Sequence, residues 1–522
     1  MLVHIGRSNL RVRVSVGFGS RVVDKATDRL SRNIRDGSWG TRTLCSFTET
    51  ISRINENSWI ILQQNREARS FVTSLILADS FCSGIVLRLM EQFRIEGGQP
   101  VHGTVELSGA KNASSKMMIA SLLTEEPVVI HHVPRQRETA ITEEILNAIG
   151  AKTSWQGQTL TTQFSNPKTP EVNGLSGKNR ISVLAISPLL HRLGEAFVPV
   201  VDGDRIGPRP VNWHIMALEK MGAVIEHRVD GWKATAPRGL QGGLIVFPYP
   251  SVGATETAIL AAVLASGRTM IRNAAIEPEI VELVKMLQNM GAIIEMGAGR
   301  DIEIIGVEKL HGCEVTVLPD ALEAASYACI ALGTKGEVFV KGAVHEHMMT
   351  FLNAVRRIGG AYEVQSDGIR FWSPGKFKGI KLETETHPGF RTDWQQPFVV
   401  VLTQAEGTSV VHETVYESRF GYVETLNAMG ANITLFSNCL GELGCRFNGE
   451  NYKHSAVING PTPLRAMDIE VPDIRAGLAF IIAALVAEGT STLSGIEHLD
   501  RGYERLEEKL KGVGVHLERI KT

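Results

Sequence analysis

The feature that most constrains this chain is a repeat. A helix that runs into an apolar residue, a glycine and then a strand returns six times. The copies are LNAIGAKTSW around Gly150, LEKMGAVIEH around Gly222, LQNMGAIIEM around Gly291, VRRIGGAYEV around Gly359, LNAMGANITL around Gly430 and LKGVGVHLER around Gly514, at intervals of 72, 69, 68, 71 and 84 residues. Glycine suits the position just past a helix, where the left-handed conformation costs it little. Between these glycines lies a second recurring element, a polar or charged start followed by an apolar helix, at 109–123, 177–194, 250–267, 319–336, 387–407 and 471–489. Helices apolar nearly all round are buried within a domain. The repeat therefore predicts an α/β chain of six βαβ-type units in two three-unit domains with buried helices. The spare residues of the last interval fall at 438–469, where turn formers crowd, and predict an inserted surface hairpin or loop.

Bulk properties agree with a globular protein of more than one core: 522 residues, 43% apolar and 21% charged. The charge is uneven. Residues 1–89 carry 13 Lys and Arg against 7 Asp and Glu, the rest 41 against 49. A net-acidic body argues against a general nucleic-acid surface, and no apolar run reaches the ~18–20 residues that span a bilayer. Cys45, Cys82, Cys313, Cys329, Cys439 and Cys445 show no CxxC spacing and no nearby paired histidines. The expectation is reduced thiols, with the Cys439–Cys445 pair incidental rather than metal-binding. Residues 1–89 are Arg- and Ser-rich without sustained periodicity. Seven acidic residues count against a transit peptide, and no charged segment leads into an apolar one as a secretory signal requires. The expectation is that the fold begins at Met90 and that 1–89 is an extension outside it.

Polar residues gather at the starts of the buried helices: Lys111 and Asn112, Arg180, Ser251-Val252-Gly253, Asp393, and Asp473 with Arg475. A helix N-terminus offers free N–H donors and a positive dipole end to anions. Each residue also has a plainer reading. Arg180 could be a solvated cap, Asp473 an N-cap, and Thr392-Asp393 ordinary capping. Recurrence at equivalent repeat positions favours an anion-seeking cleft.

The segments LSGAKNAS (107–114), DGDRIGPRPVNWHI (202–215), PSVGATETAI (250–259), HPGFRTDWQQ (387–396), TVYESRFGYV (414–423), PDIRAG (472–477) and DRGYERL (500–506) resemble, in order and spacing, the enolpyruvyl transferase superfamily across 90–522. The resemblance implies a two-lobed inverted-repeat fold whose chain crosses between lobes twice, with 111–318 in lobe one and 90–110 plus 319–522 in lobe two. It implies a cytoplasmic reaction of peptidoglycan synthesis, in which the carboxyvinyl group of phosphoenolpyruvate moves to the 3-hydroxyl of UDP-N-acetylglucosamine by addition and elimination. The RPVNWH and DRGYERL segments favour this branch over the one acting on shikimate 3-phosphate. A catalytically silent UDP-sugar binder is the third reading, against which an intact Lys111, Asp204 and Asp393 argue.

By the same resemblance, Lys111, Asn112, Arg209 and Arg501 hold phosphoenolpyruvate, Arg475 and Arg419 complete the basic lining, and Asp473 is among the substrate-binding residues. Arg419 could instead merely pair with Glu417 or Glu424. UDP-N-acetylglucosamine meets Arg180, the stretch Arg209, Pro210, Val211, Asn212 and Trp213, then Tyr249, Pro250, Ser251, Val252, Gly253, Asp393 and Val415. Asp393 is the implied base and Asp204 the proton donor, at a loop position that carries cysteine in most relatives. Fosfomycin alkylates that cysteine, so an aspartate there implies resistance. To donate a proton, Asp204 needs a pKa well above the ordinary carboxylate range, which a neighbouring phosphoenolpyruvate and lobe closure favour. No metal or organic cofactor is implied, because fixed arginines and lysine supply the positive charge. Asn212 stands where relatives carry aspartate, and Ala321 where they often carry arginine.

Overall fold

The computed structural model describes residues 2–4, 13–15, 91–177, 180–199, 211–442 and 445–521. Met1–Leu89 separates as its own unit, in which Leu2–His4 pairs antiparallel with Arg13–Ser15. Those short strands carry no periodicity that sequence reading could detect.

The described residues of 91–521 build six sheets, five of four strands and one of three. The unit at 244–305 shows the plan. Strand Leu244–Val246 leads through the buried helix Val252–Ala262 to a parallel strand, Arg268–Arg272. Helix Pro278–Asn289 then leads to the hairpin Ile293–Met296 and Ile302–Ile305, whose second strand pairs antiparallel with Arg268–Arg272. The unit at 381–460 follows the same plan, a parallel β–helix–β pair extended by an antiparallel hairpin, while other sheets take one strand of a pair from a distant part of the chain. In the three-stranded sheet an isolated parallel bridge, Glu171 to Phe197, replaces the fourth strand. All six repeat glycines, Gly150, Gly222, Gly291, Gly359, Gly430 and Gly514, have φ between 84° and 109°. An L side chain rarely adopts that conformation, which explains their regular return.

The buried residues form two clusters. One comprises residues from Ala110 to Leu318. The other joins Phe93–Leu107 to Ala321–Leu517. In the first, helix Lys111–Ala120 packs against Pro278–Asn289, and Val252–Ala262 against Ile186–Leu193. In the second, helices Ala321–Gly333, Thr392–Leu402 and Ile474–Val486 pack on one another. Every residue of Ala321–Gly333 is buried, as its all-round apolar sequence requires. Two strands are exchanged at the junction. His102–Glu106 joins Glu337–Lys341 in the second core, and Glu314–Thr316 joins Val128–His131 in the first. The chain passes between cores at 107–110 and 317–320. There the two crossings run antiparallel, with Ala110 N–H donating to the Leu318 carbonyl (2.7 Å) and Asp320 N–H to the Ser108 carbonyl (3.0 Å). A side chain at Gly109 would place Cβ 1.9 Å from the His132 carbonyl oxygen, so the crossing closes only with glycine.

Two expectations change. The stretch 438–469 is not one insertion. Ser455–Gly460 is an interior strand of its sheet, paired on both sides and burying Ala456 and Ile458. The excursion is 437–454, which takes the place of a short hairpin turn such as 157–158. Arg180 opens a 3₁₀ turn, Ile181–Ala185, and the α-helix proper is only Ile186–Leu193.

Candidate active site

Helix Thr392–Leu402 begins with Asp393 in its first turn. Arg419 donates to Asp393 Oδ1, and Arg475 Nε lies 3.7 Å from Oδ2. Both arginines are buried, whereas Asp393 keeps 26% of its side chain exposed. Arg475 is also fixed by Tyr503, whose hydroxyl accepts from Nη1 at 2.8 Å. Arg419 sits on a loop folded back by Glu413. That carboxylate accepts the Val415 N–H (2.8 Å) and Tyr416 N–H (3.1 Å), together with Thr392 Oγ1 (3.0 Å) and Gln395 Nε2 (3.2 Å). Burial raises the Glu413 pKa, against the pull of Arg419 and these donors.

A second group forms where the cores meet. Arg501 Nε donates to Glu138 Oε2 at 3.1 Å, although 363 residues separate them. Burial alone would raise the Glu138 pKa. Lys111, Arg501 and Lys116 outweigh it and hold the carboxyl below its ordinary range. This buried carboxylate therefore holds Arg501 by a hydrogen bond and feels the charge of Lys111 as well. The Lys111 N–H also faces Asp320 Oδ2 at 3.4 Å. Asp320 caps helix Ala321–Gly333 by accepting from Leu322 N–H (2.8 Å), and its charge also acts on Arg475. The helix starts at 111, 321, 392 and 474 are thus linked through shared charges.

The third group is aromatic. Trp213 and Tyr249 stack with ring centres 6.0 Å apart, and the Arg446 guanidinium lies 4.8 Å from the Tyr249 ring centre. Pro250 follows, half-buried, and the Ser251 hydroxyl accepts from Ala254 N–H (3.5 Å) to cap helix Val252–Ala262. A Cβ at Gly253 would lie 2.8 Å from His214 Cε1. His214 bonds Thr257 Oγ1 at 2.7 Å through Nδ1, and burial with the nearby Arg180 charge lowers its pKa to about 3.

The structure thus brings Asp393, Arg419 and Arg475 together, sets the charges of Lys111 and Arg501 on Glu138, and puts Trp213 beside Tyr249. Asn112 is half-buried beside Lys111, and Val211 is buried ahead of an exposed Asn212. The Val415 carbonyl accepts from Arg446. Asp473 has the plainer role, capping helix Ile474–Val486 by accepting from Arg475 N–H (2.8 Å) and Ala476 N–H (3.0 Å). Arg419 pairs with Asp393 rather than with Glu417, which Arg446 takes. Asp204, Arg209 and Pro210 lie outside the described residues. Sequence reading missed Glu138, Asp320, Glu413 and Tyr503. Of these, Tyr503 lay in the segment DRGYERL and Asp320 in the repeat element 319–336, where it could have been found as the capping residue. It also missed that Cys439 and Cys445 converge with His412 and His454.

Glu256 gives a pH prediction. Burial, with Glu279 and Glu277 nearby and Lys116 opposing, raises its pKa to about 7. A carboxyl held neutral by the fold contributes stability that is complete below about pH 4.5 and is lost as pH rises to about 7. Glu256→Gln should therefore match the parent in thermal unfolding at acid pH and exceed it at pH 8, by up to about 3 kcal/mol. Parallel melting curves across that range would refute this.

Comparison with known proteins fits this geometry. The sequence profile of the family described as EPSP synthase (3-phosphoshikimate 1-carboxyvinyltransferase) matches residues 95–510. The enolpyruvyl transferase NikO from Streptomyces tendae superposes with a TM-score of 0.74 at 24% identity, covering 83% of this chain and 99% of NikO. The chain belongs to this family of enolpyruvyl transferases. More narrowly, it is 48% identical over 439 residues to the UDP-N-acetylglucosamine 1-carboxyvinyltransferase of Protochlamydia amoebophila (strain UWE25), covering 82% of this chain and 94% of that protein. The enzyme of the same name from Chlamydia muridarum (strain MoPn / Nigg) is 44% identical over 441 residues, covering 83% and 99%. Among the described residues, no helix is long and apolar enough to cross a membrane.

Proposed function

We propose that this chain is a cytoplasmic enzyme of peptidoglycan synthesis that transfers the enolpyruvyl group of phosphoenolpyruvate to the 3-hydroxyl of UDP-N-acetylglucosamine, releasing phosphate. The observation that carries the reading is the set of cations gathered on two carboxylates. Arg501 is hydrogen-bonded to Glu138, on which the Lys111 charge also acts, and Arg475 and Arg419 meet Asp393. A donor with a phosphate and a carboxylate needs several preset cations to replace the water it loses.

In this reading the two cores are lobes that close on the substrates. Lys111, Asn112, Arg209 and Arg501 take phosphoenolpyruvate, and Arg475 and Arg419 divide their charge between Asp393 and the donor. Asp473, which caps its helix through Oδ1, stays in the substrate-binding set of this reading. Trp213 and Tyr249 flank the acceptor, with Arg180 and the Ser251–Gly253 backbone facing its diphosphate and Val415 closing the wall. Asp393, loosened from its arginines as the donor draws them, takes the hydroxyl proton while oxygen attacks C2. Asp204 delivers a proton to C3. The tetrahedral adduct then loses a C3 proton and phosphate, restoring the double bond.

The test is phosphate release by the full chain with phosphoenolpyruvate and either acceptor. UDP-N-acetylglucosamine should exceed shikimate 3-phosphate by at least ~10⁴-fold in kcat/KM, as expected of a site built around polar groups that the wrong acceptor leaves unpaired. Turnover with shikimate 3-phosphate would reassign the acceptor. Binding of the nucleotide sugar without phosphate release would make the chain a silent binder.

A further inference from the structure

The excursion 437–454 folds against the strand Gly407–His412 and brings four side chains to one point. The ring nitrogens of His412 and His454 and the sulfurs of Cys439 and Cys445 lie within 4.8 Å of one another. Both histidines are fully buried, and each is oriented by its other nitrogen. His454 Nδ1 faces the Tyr452 carbonyl at 2.7 Å. A carbonyl can only accept, so Nδ1 carries the proton and Nε2 the lone pair, 3.4 Å from Cys439 Sγ. His412 Nδ1 lies 2.9 Å from Ser455 Oγ, which donates its own proton to the Asn438 carbonyl at 2.8 Å. The Ser455 oxygen therefore accepts from Nδ1, and the lone pair of His412 is on Nε2.

That Nε2 is buried with no hydrogen-bond partner among the described residues. A buried acceptor left unmet is costly. A Cβ at Gly441 would lie 2.4 Å from His412 Cδ2, so the loop can wrap the ring only because glycine stands there. The Phe447 N–H points at Cys445 Sγ from 3.4 Å, a donor that stabilises a thiolate.

We propose that His412, Cys439, Cys445 and His454 form a tetrahedral site for a zinc ion. Two sulfurs and two imidazole nitrogens are a zinc donor set, and tetrahedral bonds of about 2.0–2.3 Å put ligand atoms roughly 3.3–3.8 Å apart. The Cys439–His454 distance already matches, and modest closure of the loop brings in the rest. The Nδ1 partners Ser455 and Tyr452 are the outer contacts that fix ligating histidines. Four protein ligands leave no open position, so the ion is structural rather than catalytic. It would tie the 437–454 excursion to the sheet, and with it Arg446, next to Cys445, whose guanidinium reaches Glu417 (3.2 Å) and the Tyr249 ring.

The test is elemental analysis of the full chain purified under reducing conditions without chelator. About one zinc per chain is expected, falling at least tenfold in Cys439→Ser/Cys445→Ser, by the ligand requirement of such sites. Because that variant could misfold, the unmodified chain is also stripped and reloaded with cobalt, which should show thiolate-to-metal charge-transfer bands and tetrahedral d–d absorption. Substoichiometric zinc with no such spectrum overturns the proposal. So does a Cys439–Cys445 disulfide in the freshly isolated protein.

Discussion

Asp204→Asn should bind UDP-N-acetylglucosamine with the parent's affinity and turn over ~10²–10⁴-fold more slowly, the range that positioned proton transfer contributes. The substitution keeps size and polarity and removes only the transferable proton. Addition to phosphoenolpyruvate cannot finish without a proton at C3, so the loss should appear in kcat, while calorimetric binding of the nucleotide sugar stays intact. Near-parental kcat would end the proton-donor role. The same position sets the response to fosfomycin. A carboxylate is a weaker nucleophile than a thiolate, so the parent should show no adduct by intact-protein mass spectrometry, and Asp204→Cys should show one. Rapid labelling of the parent would contradict the assignment.

Arg391→Ala should destabilise the chain by about 3–5 kcal/mol, the usual effect of stranding one partner of a buried ion pair. Arg391 Nη1 and Nη2 donate to the two carboxylate oxygens of Glu279 at 2.8 and 3.2 Å, with the side chains only 8% and 7% exposed. Without Arg391, Glu279 would lose the main interaction that holds it ionised against burial, with the carboxyls of Glu277 and Glu256 still nearby. Replacing both, as Arg391→Met/Glu279→Leu, should recover most of the loss, because two apolar side chains have no charge to desolvate. The measurement is the denaturant midpoint. A single variant within 1 kcal/mol of the parent would show that the pair carries little weight.

The sequence disclosed what is local and periodic. The six glycines mark left-handed positions that hardly any other residue fills, and helices such as Ala321–Gly333 announce burial through composition alone. The helix starts disclosed Lys111, Asp393 and Arg475, because charge is conspicuous at the head of an apolar run. Pairings over long separations were hidden. Nothing near Arg501 points to Glu138, and nothing near Arg391 points to Glu279. The convergence of Cys439 and Cys445 with two histidines was hidden for the same reason: those histidines come from the end of a neighbouring strand and the far side of the excursion. The excursion itself was drawn too long because the residues before strand Ser455–Gly460 are turn formers. Asp204 rests on resemblance alone.

The order in which the strands are used bears on how the chain is made. Glu91–Gly97 leaves the ribosome before every other strand of its sheet, yet its two neighbours are Gly489–Ser494 and Leu517–Lys521. The core spanning 110–318 holds all its own strands and can assemble while synthesis continues. The other core waits for Gly489–Ser494 and Leu517–Lys521, and its opening strand lacks both partners until they are made, exposed to mispairing. Removing as little as Leu517–Lys521 would leave that strand with one bare edge, so a nascent chain stopped just short of its end should be a substrate for chaperones and proteases rather than a nearly finished enzyme.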